Sequence, residues 1–389
     1  MFKIRTYNAI SSKGLDRFPR DQYEIASEFS APDAYILRSH KLHGEPVPES
    51  VVAVARAGAG TNNIPVDDYT AKGIVVFNTP GANANAVKEL ILAGLLLGSR
   101  DIYGGMNYVQ GLTDMDDATE MGKLLEAQKK HFAGGEIVGK TLGIVGLGAI
   151  GSLVANMAVE LGMRVIGYDP AISVEAAWQL SSRVERMENL QTLLGRSDFI
   201  TLHVPAIEAT RHLINAETLA GMKPSAKILN FAREEIVDTA ALLTALDAGQ
   251  LGGYITDFPR PELLGRKDVI TMPHIGASTA EAEENCAVMA ADQLMDFLSN
   301  GNIRNSVNYP KTVMERNGGT RITFSNNNVP KVLGSVLAVL AESNLNVLDM
   351  VNKSRGDVAY NIVDVEGEVS NAVRSAIAAV DGVTHVRVI

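Results

Sequence analysis

At 389 residues the chain is too long for one ordinary hydrophobic core and calls for two or three domains. A composition of 46% hydrophobic and 21% charged residues excludes a disordered chain, and the single cysteine, Cys286, excludes an internal disulfide and a thiolate zinc site. The formal net charge of −10 disfavours a nucleic-acid partner, so an anionic ligand must meet a local basic cluster.

The N-terminus enters strand-like alternation without the charged-then-apolar layout of a secretory signal, which predicts a cytoplasmic protein. Residues 34–38, 51–56 and 74–77 are short apolar runs bounded by turn residues, the mark of strands in a small α/β unit. The apolar stretch 84–100 predicts a buried helix leading into a second unit; its densest part, 90–98, falls short of the roughly 20 residues that span a bilayer. From 139 to 202 the order is strand, glycine turn, helix, strand, helix, strand, which requires parallel strands with right-handed crossovers, a doubly wound sheet. Further strands are predicted at 226–230, 254–256 and 269–271, followed by an amphipathic helix at 281–298. Residues 300–320 are polar and without apolar period, and read as a linker. The remainder gives strand 321–325, helix 330–343, strands 346–353 and 359–365, helix 371–380 and strand 384–389, the order of a ferredoxin-like unit.

The strand at 141–145 runs directly into Gly146-Leu147-Gly148-Ala149-Ile150-Gly151, which opens a helix. In this context Gly146 permits the tight turn, Gly148 the approach of a pyrophosphate, and Gly151 close packing of helix on strand, while the helix N-terminus faces the phosphates. The next strand ends in Asp169, where a carboxylate accepts from both ribose hydroxyls and repels a 2′-phosphate. The cofactor expected is therefore NAD rather than NADP.

Three further segments place polar residues at or just after strands: Asn230-Phe-Ala-Arg233, Asp257-Phe-Pro-Arg-Pro-Glu262 and Pro273-His274-Ile-Gly-Ala-Ser-Thr279. With Arg56-Ala-Gly-Ala-Gly60, Asn78-Thr-Pro80 and the glycine fingerprint, they make the whole chain resemble the D-isomer-specific 2-hydroxy acid dehydrogenases, of the kind that carries a C-terminal ACT domain. The resemblance implies an α/β protein: a flavodoxin-like substrate-binding domain (1–95 and 285–308), a Rossmann-type NAD-binding domain (96–284), a linker (309–319) and a ferredoxin-like ACT unit (320–389). It implies His274 as general base, Arg233 as the group that holds the substrate carboxylate or C2 oxygen, and Glu262 as the carboxylate that orients the imidazole. The chemistry agrees, because imidazole takes up and returns a proton near neutral pH and guanidinium forks onto carboxylates. Cofactor contacts are implied at Gly146, Gly148, Ala149, Ile150, Gly151, Asp169, Pro205, Ala232, Asp257 and Gly276. One departure from the family pattern is Glu234, where glycine usually follows the arginine; it is expected to point away from the substrate.

For the substrate, the resemblance implies contacts from Arg38, Ser39, Arg56, Ala57, Gly58 and Asn83, with Arg38 on a phosphate and His40 and Lys41 as further cations of the cluster. The activity implied is NAD-dependent oxidation of 3-phosphoglycerate to 3-phosphohydroxypyruvate, the entry to serine synthesis. The alternatives are another acid of the glycerate, glyoxylate or lactate type, and a non-catalytic NAD-sensing protein. Asn328 and Asn346 match amino-acid-binding positions of ACT units, but Lys331 replaces the expected glycine, so serine feedback is expected to be weak or absent. A homodimer or homotetramer is expected, with no metal, nucleic acid or membrane partner.

Overall fold

The computed structural model describes residues 1–389. The chain forms two compact units, Met1–Asn83 with Ala280–Ile389, and Ala84–Thr279.

In the first unit, strands β1 (Phe2–Thr6), β2 (Tyr23–Ala26), β3 (Ala34–Leu37), β4 (Ala53–Arg56) and β5 (Val75–Phe77) form a parallel sheet in the order β2-β1-β3-β4-β5. This is the flavodoxin-like order, in which ligands meet the carboxyl ends of the strands. Every residue of β3 and β5 is buried, as a parallel sheet covered on both faces demands. Helix Ala280–Asn300 covers one face, placing Cys286, Ala290, Leu294 and Phe297 in one core with Ile4, Ile36, Ala55 and Phe77.

Residues 301–319 are not a free linker. Ile303, Tyr309 and Thr312 are buried, Ser306 bridges Phe77, and Ile303 bridges Thr312. The Asn308 side chain accepts from the Val76 N–H and donates to the Ile74 carbonyl and Thr70 Oγ1, at 2.9 Å each. Polar side chains here replace a strand partner, so the segment is ordered without any apolar period.

In the ferredoxin-like part, β13 (Thr320–Asn327), β14 (Val347–Arg355), β15 (Val358–Val365) and β16 (Val383–Val388) form an antiparallel sheet in the order β14-β15-β13-β16, with helices Val332–Glu342 and Asn371–Ala378. Its own core joins Ile322, Phe324, Val336, Leu340, Val363 and Ile377. Its other face is continuous with the first unit's core through Tyr360 and Ile362 beside Phe297 and Tyr309. The fully buried Arg321 spends all five N–H donors there: two on Asp364, and one each on the carbonyls of Asn300, Met314 and Glu315. The ferredoxin-like part thus has its own core and also packs within the first unit.

In the second unit, β6 (Thr141–Val145), β7 (Arg164–Tyr168), β8 (Glu185–Arg186), β9 (Phe199–Leu202), β10 (Lys227–Asn230), β11 (Gly253–Thr256) and β12 (Val269–Thr271) form a parallel sheet ordered β12-β11-β10-β9-β6-β7-β8. The order reverses between β6 and β9, the place where doubly wound folds bind dinucleotides. Helix Ala84–Ser99 lies close on β10 and β11 because Gly94 and Gly98 face Leu229 and Ile255. The helices Ile102–Gln110 and Ala118–Gln128, capped by Asp101 and Asp117, were not anticipated; neither buries a single residue, so neither carries a core-facing apolar signal.

Candidate active site

The glycine loop follows β6 and starts helix Ala149–Glu160. Gly146 sits at φ +92°, and a Cβ there would lie 2.5 Å from the His203 carbonyl oxygen; a Cβ at Gly151 would collide with the Gly146 carbonyl. Nothing lies within 4 Å of a Cβ at Gly148. Two glycines are therefore required by the turn and the packing, while Gly148 borders open space beside the helix N-terminus, where Ala149 and Ile150 have no intrahelical acceptor. At the end of β7, Asp169 Oδ2 accepts from the Leu147 N–H (2.8 Å) and Oδ1 from the Ala171 N–H (2.9 Å). Each oxygen keeps a lone pair for a ribose hydroxyl.

Three loops leave the carboxyl ends of the adjacent strands β10, β11 and β12. After β10, the fully buried Asn230 fixes the turn: its amide donates to the Arg233 carbonyl (2.9 Å) and Tyr254 Oη (3.2 Å), and its oxygen accepts from the Ala232 N–H. Arg233 makes one side-chain hydrogen bond, from Nη1 to the Ala232 carbonyl at 2.6 Å, leaving most of its donors uncommitted. After β11, Asp257 is 1% exposed; Oδ2 accepts from the Gly276 N–H (3.0 Å), and Oδ1 is buried with no partner. Burial raises its pKa, opposed by the Gly276 hydrogen bond and the charges of His274 and Arg233. An orphaned buried carboxylate oxygen calls for a donor, and the carboxamide of a nicotinamide has one to give.

After β12, His274 is exposed, with its backbone N–H on the Asp257 carbonyl (2.8 Å) and its ring 4.8 Å from that of Phe258. Its φ of +36° is left-handed for a residue with a Cβ, a strain of about 1–3 kcal/mol of the kind kept at functional sites. Asp257 thus lies between the other two loops, bonded to His274 through its carbonyl and within reach of the Arg233 charge.

Glu262 is not brought to His274. It lies in a short 3-10 turn, Pro261–Leu263, anchored by buried Leu263, which turns the carboxylate outward to 3.7 Å from Arg260 Nε. No hydrogen bond joins it to the imidazole. Arg260 also pairs with Glu234 at 2.5 Å, which holds that carboxylate in the pair. Arg260, absent from the sequence-derived set, carries no motif signal; only the folded loops show what it holds. Pro205 is an exposed loop residue after β9 whose carbonyl accepts from Thr210 Oγ1.

In the first unit, Arg38 follows β3 and its guanidinium is 2.7 Å from Glu283. Its carbonyl accepts from Arg56 Nε (3.0 Å) and from Asn63 Nδ2, which also donates to the His40 carbonyl. A Cβ at Gly58 would lie 2.5 Å from Arg56 Nη1, so glycine makes room for that guanidinium. In the loop after β4, Ala57 N–H donates to the Leu37 carbonyl and Gly58 N–H to the Arg56 carbonyl. Both donors are spent on the turn that follows β4; those of Ala59 and Gly60 carry no bond. His40 is committed elsewhere, stacked on Tyr7 and 2.8 Å from Glu45. Ser39 and Lys41 are exposed and Asn83 is half-buried.

In the ferredoxin-like part, the amides of Asn328 and Asn346 turn onto the Gly356 carbonyl (3.0 Å) and Glu366 (3.4 Å). Lys331 sits at φ +81°, a backbone position that favours glycine.

Residues 105–276 match the profile of the D-isomer specific 2-hydroxyacid dehydrogenase NAD-binding domain. A D-3-phosphoglycerate dehydrogenase of Synechocystis is 38% identical over 329 residues, covering 80% of this chain and 56% of that protein. One of Haemophilus influenzae is 32% identical, covering 87% of this chain and 81% of that protein. The chain thus spans little more than half of some of its curated relatives. The crystal structure of NAD+-bound 3-phosphoglycerate dehydrogenase from Entamoeba histolytica superposes with a TM-score of 0.59 at 26% identity, over 79% of this chain and 98% of that one. No helix is long and apolar enough to cross a membrane. Fold order, glycine loop and sequence identity converge: the chain belongs to the D-isomer-specific 2-hydroxyacid dehydrogenases, and its second unit carries their NAD-binding domain.

Proposed function

We propose that the chain is a phosphoglycerate dehydrogenase, oxidising 3-phosphoglycerate to 3-phosphohydroxypyruvate with NAD as hydride acceptor. The observation that carries the chemistry is the grouping of Arg233, Asp257 and His274 on three adjacent loops of the NAD-binding unit. His274 takes the C2 hydroxyl proton, and Arg233 holds the substrate carboxylate or C2 oxygen and stabilises charge as the carbonyl forms. NAD, when bound, accepts the hydride. Gly148, Ala149 and Ile150, with Gly146 and Gly151 shaping the turn, would hold its phosphates and Asp169 its ribose; Pro205, Ala232 and Gly276 would line it, and the orphaned Asp257 oxygen would receive its carboxamide. Glu262 fits the role of imidazole partner only if it exchanges Arg260 for His274.

The choice of acid rests on the curated relatives and on Arg38 and Arg56 at the carboxyl ends of β3 and β4. Arg38 and Ser39 receive the phosphate, Asn83 and Arg56 contribute to the anion seat, and the unbonded amides of Ala59 and Gly60 replace those of Ala57 and Gly58 as carboxylate donors. Comparing initial rates on 3-phosphoglycerate, glycerate and D-lactate, for wild type and Arg38→Ala, tests this. Preference for the phosphorylated acid, lost with Arg38, supports it; equal use of glycerate makes the chain a dehydrogenase of another acid. With Asn328 and Asn346 turned onto their own unit and Lys331 in the turn, L-serine is a weak effector or none. The chain acts in the cytoplasm as a homodimer or homotetramer.

A further inference from the structure

Glu234 adds a carboxylate directly after Arg233, beside the place an anionic substrate is to be held. Its partner is Arg260, whose Nη1 is 2.5 Å from Glu234 Oε1 and whose Nε is 3.7 Å from Glu262 Oε2. The pair links the loop leaving β10 to the loop leaving β11, strands in register at Asn230 and Thr256. Both side chains are more than a third exposed, so the pair adds little to stability. What it decides is where the charge of Glu234 is held. Arg233 commits only one N–H, to Ala232, and a released carboxylate one residue away has a fork of free donors to take.

Resting on the dehydrogenase reading, we propose that Arg260 is a positioning residue that sequesters Glu234 and so keeps the Arg233 guanidinium free for substrate. The pair then carries an asymmetry. Losing Arg260 is harmful because Glu234 turns on Arg233; losing Glu234 is not, because the group it frees, Arg260, is a cation that stays beside Glu262 and has no attraction for Arg233; losing both is harmless because the competing carboxylate is gone as well. A pair acting only as a brace between loops gives the opposite pattern, with either single change as damaging as the double.

The test compares Arg260→Ala, Glu234→Gly and the double variant, using kcat/KM for 3-phosphoglycerate and the side-chain 15N NMR signal of Arg233 in the enzyme without substrate. Arg260→Ala is expected to lower kcat/KM about tenfold or more, the order expected for disabling a charge-assisted contact. Glu234→Gly should stay within about twofold of wild type and the double variant should recover to within about threefold, with unchanged melting temperatures throughout. The Arg233 Nε–H signal should move in Arg260→Ala and return in the double variant. An Arg260→Ala enzyme like wild type, or a double variant no better than Arg260→Ala, overturns the proposal. Should wild type turn over no acid at all, the dehydrogenase reading fails instead, and the Arg233 signal alone decides: moved and restored supports sequestration, unmoved refutes it.

Discussion

Replacing Asp364 by Asn is the sharpest perturbation of the way the ferredoxin-like part is held within the first unit. Arg321 and Asp364 are both 0% exposed, paired through two bonds of 2.7 Å, and the remaining guanidinium donors reach carbonyls at the end of helix Ala280–Asn300 and in the segment after it. Asp364→Asn leaves the guanidinium buried without its counter-charge, which costs about 3–5 kcal/mol. Removing both charges, as Arg321→Met with Asp364→Leu, recovers the desolvation of the pair but orphans the carbonyls of Asn300, Met314 and Glu315, each at about 1–3 kcal/mol if no water reaches it. Three carbonyls together cost about 3–9 kcal/mol, and about 1–4 kcal/mol is recovered by removing the buried pair, so the double variant should be destabilised by an amount comparable to the single one, short of the sum of two losses. Urea unfolding followed by circular dichroism, with native-state hydrogen exchange of the β13 and β15 amides, measures both. A loss below about 1 kcal/mol in Asp364→Asn would show that the guanidinium is hydrated and that this part is a loosely tethered domain.

Other outcomes follow from single positions. Gly148→Ala should leave the melting temperature unchanged and weaken NADH binding by tenfold or more, roughly the loss of one or two phosphate hydrogen bonds, whereas Gly151→Ala should lower both, because its Cβ meets backbone. Fluorescence titration with NADH separates the two. His385 has a buried, unpartnered Nε2, and burial, with Arg387 and Arg374, brings its pKa from 6.5 down to about 4. Its unfolded form therefore binds a proton first: stability is fully present above pH 6.5 and is lost as pH falls towards 4, by at most about 3 kcal/mol. His385→Gln should flatten that part of the stability–pH curve. Lys331→Gly should raise stability by about 0.5–1 kcal/mol by relieving a left-handed lysine, read as a higher urea midpoint.

Much of the NAD-binding unit was legible because its strands are unbroken apolar runs and its glycine spacing has one physical explanation at each position; β6, β7 and β12 fall where the sequence puts them. The segment 301–319 was illegible for the opposite reason. It is ordered by Asn308, Ser306 and Arg321, polar residues whose partners lie far away in sequence, and hydrophobic period reports none of them. The candidate site divides in the same way. The family resemblance supplied Arg233, Asp257 and His274, on the loops after three strands, while the direction of Glu262, the spent amides of Ala57 and Gly58, and the pairing of Arg260 depend on turn geometry that a motif does not encode.

The most direct test of the central claim is NADH formation from NAD and 3-phosphoglycerate by the wild-type chain and by His274→Ala, with NADH binding measured on both. Turnover by wild type is expected, with a rate at least about a hundredfold lower in the variant, as loss of a general base entails, and equal cofactor binding. Equal rates would remove His274 from the chemistry, and an inert wild type that still binds NADH would make the chain a nucleotide-binding protein rather than a dehydrogenase.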